Sequence, residues 1–157
     1  AIRLRSDVVR KQLFGEQVNK NPVEGGIYVP EASVATYNKL HELAGIVLRA
    51  GFPVVIDATY LKREQRDAAA NVAEATGVPC LILDCTAPDA VIEGWLAHRK
   101  TLGTDPSDAT MDVVKLQQSS REALGEDELL RTKRVETHNS ASLDSLIADI
   151  RQRLPGL

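Results

Sequence analysis

Short apolar runs alternate along this chain with stretches of helical periodicity. β-branched and other apolar residues predict strands at residues 2–6, 53–58, 80–85 and 134–137. Apolar residues at helical spacing predict helices at residues 7–14, 30–50, 62–76, 88–99, from 108 or 110 to 124, and 143–154. Strands that alternate with helices are typical of a parallel sheet with helices on both faces. The sequence therefore predicts an α/β fold.

Residues 15–29 interrupt this alternation. They show no clear period and contain two asparagines, a proline and the pair Gly25-Gly26. A loop of this length in a compact domain is often functional. We therefore expect this loop to form part of a substrate pocket.

Length and composition predict a single domain over residues 1–157. The chain has 157 residues, 43% of them hydrophobic, and a net charge of −3. It has no overall excess of positive charge and no clear nucleic-acid patch, and no apolar run is long enough to span a membrane. Cys80 and Cys85 fall on opposite faces of one predicted strand, so they are not expected to form a disulfide with each other. We predict a cytoplasmic protein with both cysteines as small core residues.

Polar residues follow the second predicted strand directly. The run Val54-Val55-Ile56 ends in Asp57-Ala58-Thr59. The carboxyl ends of parallel strands are where ligands bind in open α/β sheets. Asp57 is thus a candidate contact for a metal or substrate, with Thr59 beside it; the alternative is simple turn formation by Asp and Thr.

A similar pattern follows the first predicted strand. Asp7 and Arg10 lie three residues apart, on one face of a helix start. In one interpretation Ser6 or Asp7 caps the helix and Arg10 lies in solvent. In the other, Asp7 accepts a hydroxyl proton and Arg10 holds an anionic group of the substrate.

Two further groups of cations are candidates for binding anions. The first group is Lys62, Arg63 and Arg66, whose side chains are most often solvated charges on a helix. Arg66 is the best candidate of the three for an anion site. Arg99 precedes a segment rich in turn residues, so residues 98–110 are either a charged loop or a lid whose arginine closes on a phosphate. Trp95, on the preceding helix, is predicted to be a core residue.

The sequence lacks the motifs that are typical of several enzyme classes. The three histidines show no ligand spacing with cysteines or carboxylates, which argues against a zinc site. The sequence has no Gly-x-Ser-x-Gly nucleophile turn and no Gly-x-Gly-x-x-Gly dinucleotide loop. A hydrolase or a dinucleotide-dependent oxidoreductase is therefore disfavoured.

The order and spacing of these motifs resemble a group of P-loop kinases. Ser6-Asp7-x-x-Arg10, Asp57-x-Thr59 with Arg66, and Arg99 before Gly103-Thr104-Asp105-Pro106 carry the resemblance. The group contains polynucleotide kinases, zeta-toxin-like kinases and gluconate kinases. The chain is most similar to kinase or ATPase domains of bacteria that often follow an aminoglycoside-phosphotransferase-like domain in one polypeptide, so a fused upstream domain is a predicted partner.

The resemblance implies a role for each candidate residue. Asp7 matches the catalytic base and Arg10 the contact to the substrate anion. Asp57 matches the acidic residue near Mg²⁺ or substrate, and Arg99 matches the lid arginine that stabilises the transferred phosphoryl group. The implied cofactors are ATP and Mg²⁺, and the implied substrate is a small molecule, a nucleotide or a nucleic-acid end that offers a hydroxyl group.

The chain departs from this group in one respect. It contains no Gly-x-x-x-x-Gly-Lys-Ser/Thr loop, which would bind the nucleotide phosphates. The resemblance implies a three-layer α/β/α fold with strand order 2-3-1-4-5, from which the first strand, the phosphate loop and the first helix are missing. We expect upstream sequence to supply them, or the strands at residues 54–58 and 80–85 to pair directly. The 157 residues alone are predicted to be inactive, and the alternative to a kinase is a nucleotide-sensing or other non-catalytic interaction domain.

Overall fold

The structure, a computed structural model, describes residues 1–15, 30–103, 105, 107 and 109–153. This part of the chain forms four short strands and seven helices. In chain order they are β1 (Ile2–Arg5), α1 (Ser6–Phe14), α2 (Pro30–Arg49), β2 (Val54–Asp57), α3 (Arg63–Ala75), β3 (Ile82–Thr86), α4 (Asp89–Leu102), α5 (Met111–Ser120), α6 (Glu126–Leu129), β4 (Thr132–Glu136) and α7 (Ser140–Arg153). The predicted α/β class is confirmed. Residues 16–29 of the predicted pocket loop, which begins at Gly15, and the end of the last helix, at Leu154, lie outside the described residues.

The core of the first half forms where α1 and α2 pack on β1 and β2. Val9, Tyr37 and Leu40 are 4%, 6% and 0% exposed. Partly buried apolar residues of the strands, including Leu4 and Ile56, pack against these three. Burial of this apolar surface is the main favourable term that fixes the helices on the strands.

The four strands form two separate parallel pairs. β1 pairs with β2, with Ile2 opposite Val54 and Arg5 opposite Asp57. β3 pairs with β4, with Ile82 opposite Thr132. The alternative in which the second and third strands pair directly is wrong for the described residues, because β2 pairs only with β1 and β3 only with β4.

Among the described residues β2 and β3 each have a strand partner on one side only, as β1 and β4 do. Val55 and Leu83, in the middle of these strands, are 46% and 38% exposed, whereas strands of a parallel sheet are normally covered on both faces. Partial desolvation raises the pKa of Cys85, at the carboxyl end of β3, and the negative charges of Asp84 and Asp57 raise it further.

Several boundaries differ from the sequence-based expectation. β3 begins at Ile82 rather than Cys80, and β4 begins at Thr132 rather than Arg134. α4 continues to Leu102 and ends there because Gly103 adopts a left-handed conformation. Residues 101–102 are therefore helical, although they were predicted to form a turn. α5 stops at Ser120, and the short helix α6 was not predicted.

Two predictions about individual side chains are wrong. Arg5 occupies the N-cap position of α1, so neither Ser6 nor Asp7 caps this helix. Cys85 is exposed and Cys80 is only half-buried, so the two cysteines are free but are not core residues.

Within the described residues, every helix is too short or too polar to cross a lipid bilayer.

We predict that Leu40→Ala lowers the free energy of unfolding by about 2–5 kcal/mol, because it leaves a cavity in the core between α1 and α2. Urea unfolding followed by circular dichroism measures the change. Leu130→Ala is the matched control, since Leu130 is 84% exposed, and it should change stability by no more than about 0.5 kcal/mol. Equal effects of the two substitutions would contradict the assignment of the core.

Candidate active site at the carboxyl ends of β1 and β2

The register of the first strand pair brings two sequence motifs to one edge of the structure. Arg5, the last residue of β1, lies opposite Asp57, the last residue of β2. Asp7 and Arg10 follow on the first turns of α1. Parallel strands place their carboxyl ends together, so the Ser-Asp motif and the Asp-x-Thr motif meet at the edge where ligands bind in such sheets.

Asp7 and Arg10 form an ion pair on α1. Arg10 Nη1 lies 3.4 Å from Asp7 Oδ1, and the side chains are 8% and 24% exposed. The predicted shared face is confirmed, and the interpretation in which Arg10 lies in solvent is wrong. The buried guanidinium orients the carboxylate of Asp7, which remains accessible from outside.

Arg5 joins Asp57 to the segment that follows α4. Its Nε lies 3.5 Å from Asp57 Oδ2, and its Nη2 donates a hydrogen bond of 3.1 Å to Asp105 Oδ1. Asp105 also accepts a hydrogen bond from the backbone N–H of Ser107. This backbone bond and the contact with Arg5 hold the pKa of Asp105 below its ordinary value. The segment predicted to be a lid is thus in contact with the end of β1, although its residues 104, 106 and 108 lie outside the described residues.

The turn after β2 has an unusual backbone conformation. Tyr60 adopts φ +45°, a left-handed value that residues other than glycine rarely adopt. The hydroxyl of Tyr37 accepts a hydrogen bond from the Tyr60 N–H at 3.0 Å and lies 3.2 Å from Thr59 Oγ1. Asp57 and Thr59 themselves are exposed. The turn therefore presents both polar side chains to solvent from a backbone that α2 supports.

Arg66, which was predicted to contact an anion of the substrate, binds to other residues of the protein. The residue is 5% exposed, and its Nε and Nη2 donate to the two carboxylate oxygens of Glu128 at 2.6 and 3.1 Å. The hydrogen bonds with Arg66 lower the pKa of Glu128, and they raise the pKa of Arg66. A role of Arg66 in binding substrate stays a prediction, but every nitrogen of its guanidinium already donates to a protein atom.

Sequence reasoning missed Glu128, which is fully buried. Its pairing with Arg66 bridges 62 positions in the chain, so no local pattern indicates it. The run Gly125-Glu126-Asp127-Glu128 reads as a solvated acidic turn. Burial of one of these carboxylates could be found only from the requirement that a buried arginine has a partner.

Arg99 lies beside an open cavity of about 310 Å³, which Trp95, His98, Leu102 and Asp105 also line. The positive charge of Arg99 is one of the smaller contributions that lower the pKa of Asp105. Trp95 is 44% exposed, so the prediction that it is a core residue is wrong. The cavity and Arg99 are joined to the strand ends through Asp105 and Arg5.

The residues at this edge fit a magnesium ion that is bound together with a nucleotide. Asp57 offers an exposed carboxylate, the ligand type that Mg²⁺ prefers, and Mg²⁺ commonly binds to one or two carboxylates together with phosphates and water. Within the described part of the chain, no three histidine, cysteine or carboxylate side chains cluster as a metal site made of protein ligands alone would need. The site would therefore hold the ion by Asp57 and by its phosphate ligands.

We predict that Arg5→Gln raises the pKa of Asp105 but leaves it below the ordinary value of 3.8. The substitution removes the guanidinium, whereas the hydrogen bond from the Ser107 N–H, which is the largest cause of the shift, remains. An NMR titration of the side-chain carboxyl carbons measures the change. Arg3→Gln on the same strand is the control, and an unchanged pKa of Asp105 in Arg5→Gln would contradict the contact.

The same contact has a consequence for stability below about pH 4. A carboxylate whose pKa is lowered on folding stabilises the fold at pH values above its unfolded pKa, and this contribution is lost as pH falls through the folded pKa. In Arg5→Gln the folded pKa of Asp105 is higher, so this contribution is smaller and is lost at a less acidic pH.

A known protein family matches most of this chain. The AAA domain family matches residues 1–124, which is most of the chain and includes β1, β2 and the segment around Arg99. No curated protein matches the sequence. Since the match covers well over half of the chain, the protein belongs to the AAA domain family, a P-loop NTPase-like family that includes kinases.

Proposed function

We propose that this chain is the core of an ATP-dependent phosphotransferase that phosphorylates a hydroxyl group. The observation that carries the proposal is the register of β1 and β2, which places Asp57 opposite Arg5 and hence beside the start of α1 with Asp7. Phosphoryl transfer to a hydroxyl group uses carboxylates in two roles, and the two adjacent strand ends supply one carboxylate for each role. One is a base for the acceptor hydroxyl and the other a ligand for the cation.

Asp7 accepts the proton of the acceptor hydroxyl in this proposal. Its carboxylate is partly exposed, and the Arg10 guanidinium at 3.4 Å fixes its orientation. Because Arg10 is largely buried, we assign to it the positioning of Asp7 in addition to the contact with an anionic group of the acceptor. The acceptor is a small molecule, a nucleotide or a nucleic-acid end that carries a hydroxyl group.

Asp57 and Arg99 serve the phosphate side of the site. Asp57 would bind the Mg²⁺ ion, with Thr59 beside it, and the ion would neutralise phosphate charge as ATP supplies the phosphoryl group. Arg99 would approach the transferred group from the segment after α4 and balance its negative charge. Arg5 and the cation would compete for the carboxylate of Asp57, so the ion pair of Arg5 with Asp57 would rearrange on cation binding.

The phosphate-binding part of the site is proposed to come from one further parallel strand between β2 and β3. Such a strand would give the free edges of β2 and β3 partners and produce the order 2-3-1-4-5 implied by the resemblance, and the helix that follows it would add cover to the faces with Val55 and Leu83. Its carboxyl end would lie between Asp57 and Cys85, where a glycine-rich loop could bind the phosphates. The sequence of 157 residues contains no such loop.

We predict that Mg²⁺–ATP binds the 157-residue chain at least about a hundredfold more weakly than a chain that also carries the phosphate-binding unit. The loop donates several hydrogen bonds to charged oxygens, and the loss of two of them is enough for this factor. Isothermal titration calorimetry measures both affinities. Tight, Mg²⁺-dependent binding by the 157 residues alone would contradict the proposal.

In the chain with the phosphate-binding unit, we predict that Asp7→Asn lowers kcat by about 10²- to 10⁴-fold, because the amide cannot accept the proton. The affinity for ATP should change by less than threefold. Asp112→Asn is the matched control, since Asp112 holds the same place in the first turn of α5, and it should leave both quantities unchanged.

Full transfer activity in Asp7→Asn would remove Asp7 from the mechanism. ATP hydrolysis by the unsubstituted protein, without transfer to any hydroxyl acceptor, would instead favour a nucleotide-sensing domain. The two results are distinguished by assaying ADP release and the phosphorylated acceptor in the same reaction.

A further inference from the structure

Two side chains of the candidate site lie on a turn whose conformation is not determined by its own sequence. We call residues 57–61, which begin with the last residue of β2, the exit turn. The exit turn contains no glycine, yet Tyr60 has φ +45°. A residue with a side chain keeps such a backbone conformation only when the surrounding structure enforces it. The positions of Asp57 and Thr59 therefore depend on the contacts that the exit turn makes.

On one side the exit turn is bound by α2. Tyr37 is 6% exposed, and its hydroxyl contacts the Tyr60 N–H at 3.0 Å and Thr59 Oγ1 at 3.2 Å. The ring of Tyr37 also packs edge-on against the ring of Tyr60. One buried side chain thus fixes both the backbone at Tyr60 and the hydroxyl of Thr59.

On the other side the exit turn is bound by Arg66. Its Nη1 donates to the carbonyl oxygens of Tyr60 and Leu61 at 3.1 and 3.3 Å. The direction of the guanidinium is set by the two hydrogen bonds to Glu128, which is 0% exposed. Glu128 also accepts a hydrogen bond of 2.8 Å from the Gly125 N–H, so its own position is fixed.

We infer that Glu128 and Tyr37 are positioning residues that set the geometry of Asp57 and Thr59 through the exit turn. The inference rests on the proposed function, because it assigns these contacts a catalytic consequence. Glu128 lies beyond residues 1–124, the part that matches the AAA domain family, and its backbone carbonyl accepts a hydrogen bond from Thr132 of β4. The second half of the chain thereby controls a site built on the first half.

Simple stabilisation does not account for this arrangement. A buried ion pair contributes little net stability, and well-packed apolar residues often replace one without loss. An apolar pair would, however, leave four backbone carbonyl oxygens without the donor that Arg66 supplies, those of Tyr60, Leu61, Glu122 and Ala123. The guanidinium is needed because it donates to these carbonyls, and Glu128 is needed because it orients and neutralises the guanidinium.

The test is Glu128→Gln, which keeps the shape of the side chain and removes its charge. Its matched control is Asp127→Asn, the neighbouring carboxylate of α6, which bonds to Arg63 and is 59% exposed. Amide hydrogen exchange by NMR compares Tyr60, in the exit turn, with Leu40, in the core, which reports global unfolding. Steady-state kinetics of the chain with the phosphate-binding unit give kcat and the KM for ATP.

In Glu128→Gln we expect exchange of the Tyr60 amide to accelerate about tenfold relative to Leu40, since a charged hydrogen bond is lost. We expect kcat to fall about tenfold, with the KM for ATP changed less than twofold. Asp127→Asn should change none of these values. Tyr37→Phe, which removes one hydroxyl group, should reproduce the result, and it decides the matter if Glu128→Gln does not fold.

Unchanged relative exchange of Tyr60 in both variants would overturn the inference, whatever the activity. Faster exchange with unchanged kcat would also overturn it, because the exit turn would then not set the geometry of the chemistry. Absence of any phosphoryl transfer by the unsubstituted protein would overturn the proposed function instead. In that case the exchange data alone would still test whether Glu128 and Tyr37 hold the exit turn.

Discussion

The buried ion pair between Arg66 and Glu128 is the constraint that links the turn after β2 to the turn before β4. Both side chains are almost fully buried, and a buried charge is tolerated only with a partner and further hydrogen bonds. Each residue has them: Arg66 contacts the carbonyls after β2, and Glu128 contacts the turn before β4. The pair therefore joins the half of the molecule that contains β1 and β2 to the half that contains β3 and β4. Removal of one partner would leave an uncompensated charge between the two halves.

A second constraint comes from the strands themselves. Parallel strands need neighbours and cover on both faces, and β2 and β3 have a partner on only one side within the described residues. The carboxyl ends of β1 and β2 carry Asp57 and, at the start of α1, Asp7. The proposed phosphate-binding strand would satisfy the open edges and complete the site at once. The unpaired strands and the proposed chemistry therefore both require a further strand between β2 and β3.

Local patterns in the sequence predicted much of this architecture. The apolar run before Asp57 and the helical spacing around Tyr37 and Leu40 gave β2 and α2 to within a few residues, since both signals depend only on neighbouring positions. The contact between Asp7 and Arg10 followed from their spacing on one helix face. The partner of Arg66 could not be predicted, because Glu128 is distant in sequence and reads as a surface residue. Trp95 was misjudged for a similar reason: its size favours burial, but α4 has no fully buried residue among those described.

The central claim is that the carboxyl ends of β1 and β2 form the acceptor and cation half of a phosphoryl-transfer site. Paramagnetic relaxation by Mn²⁺ in place of Mg²⁺ tests it most directly, on the chain with the phosphate-binding unit and a non-hydrolysable ATP analogue. The account predicts strong broadening of the amide signals of Asp57, Ala58 and Thr59, weaker broadening at Asp7, and the weakest at Gly51, which precedes the amino end of β2. Broadening that spares both strand ends, while the nucleotide is bound, would contradict it.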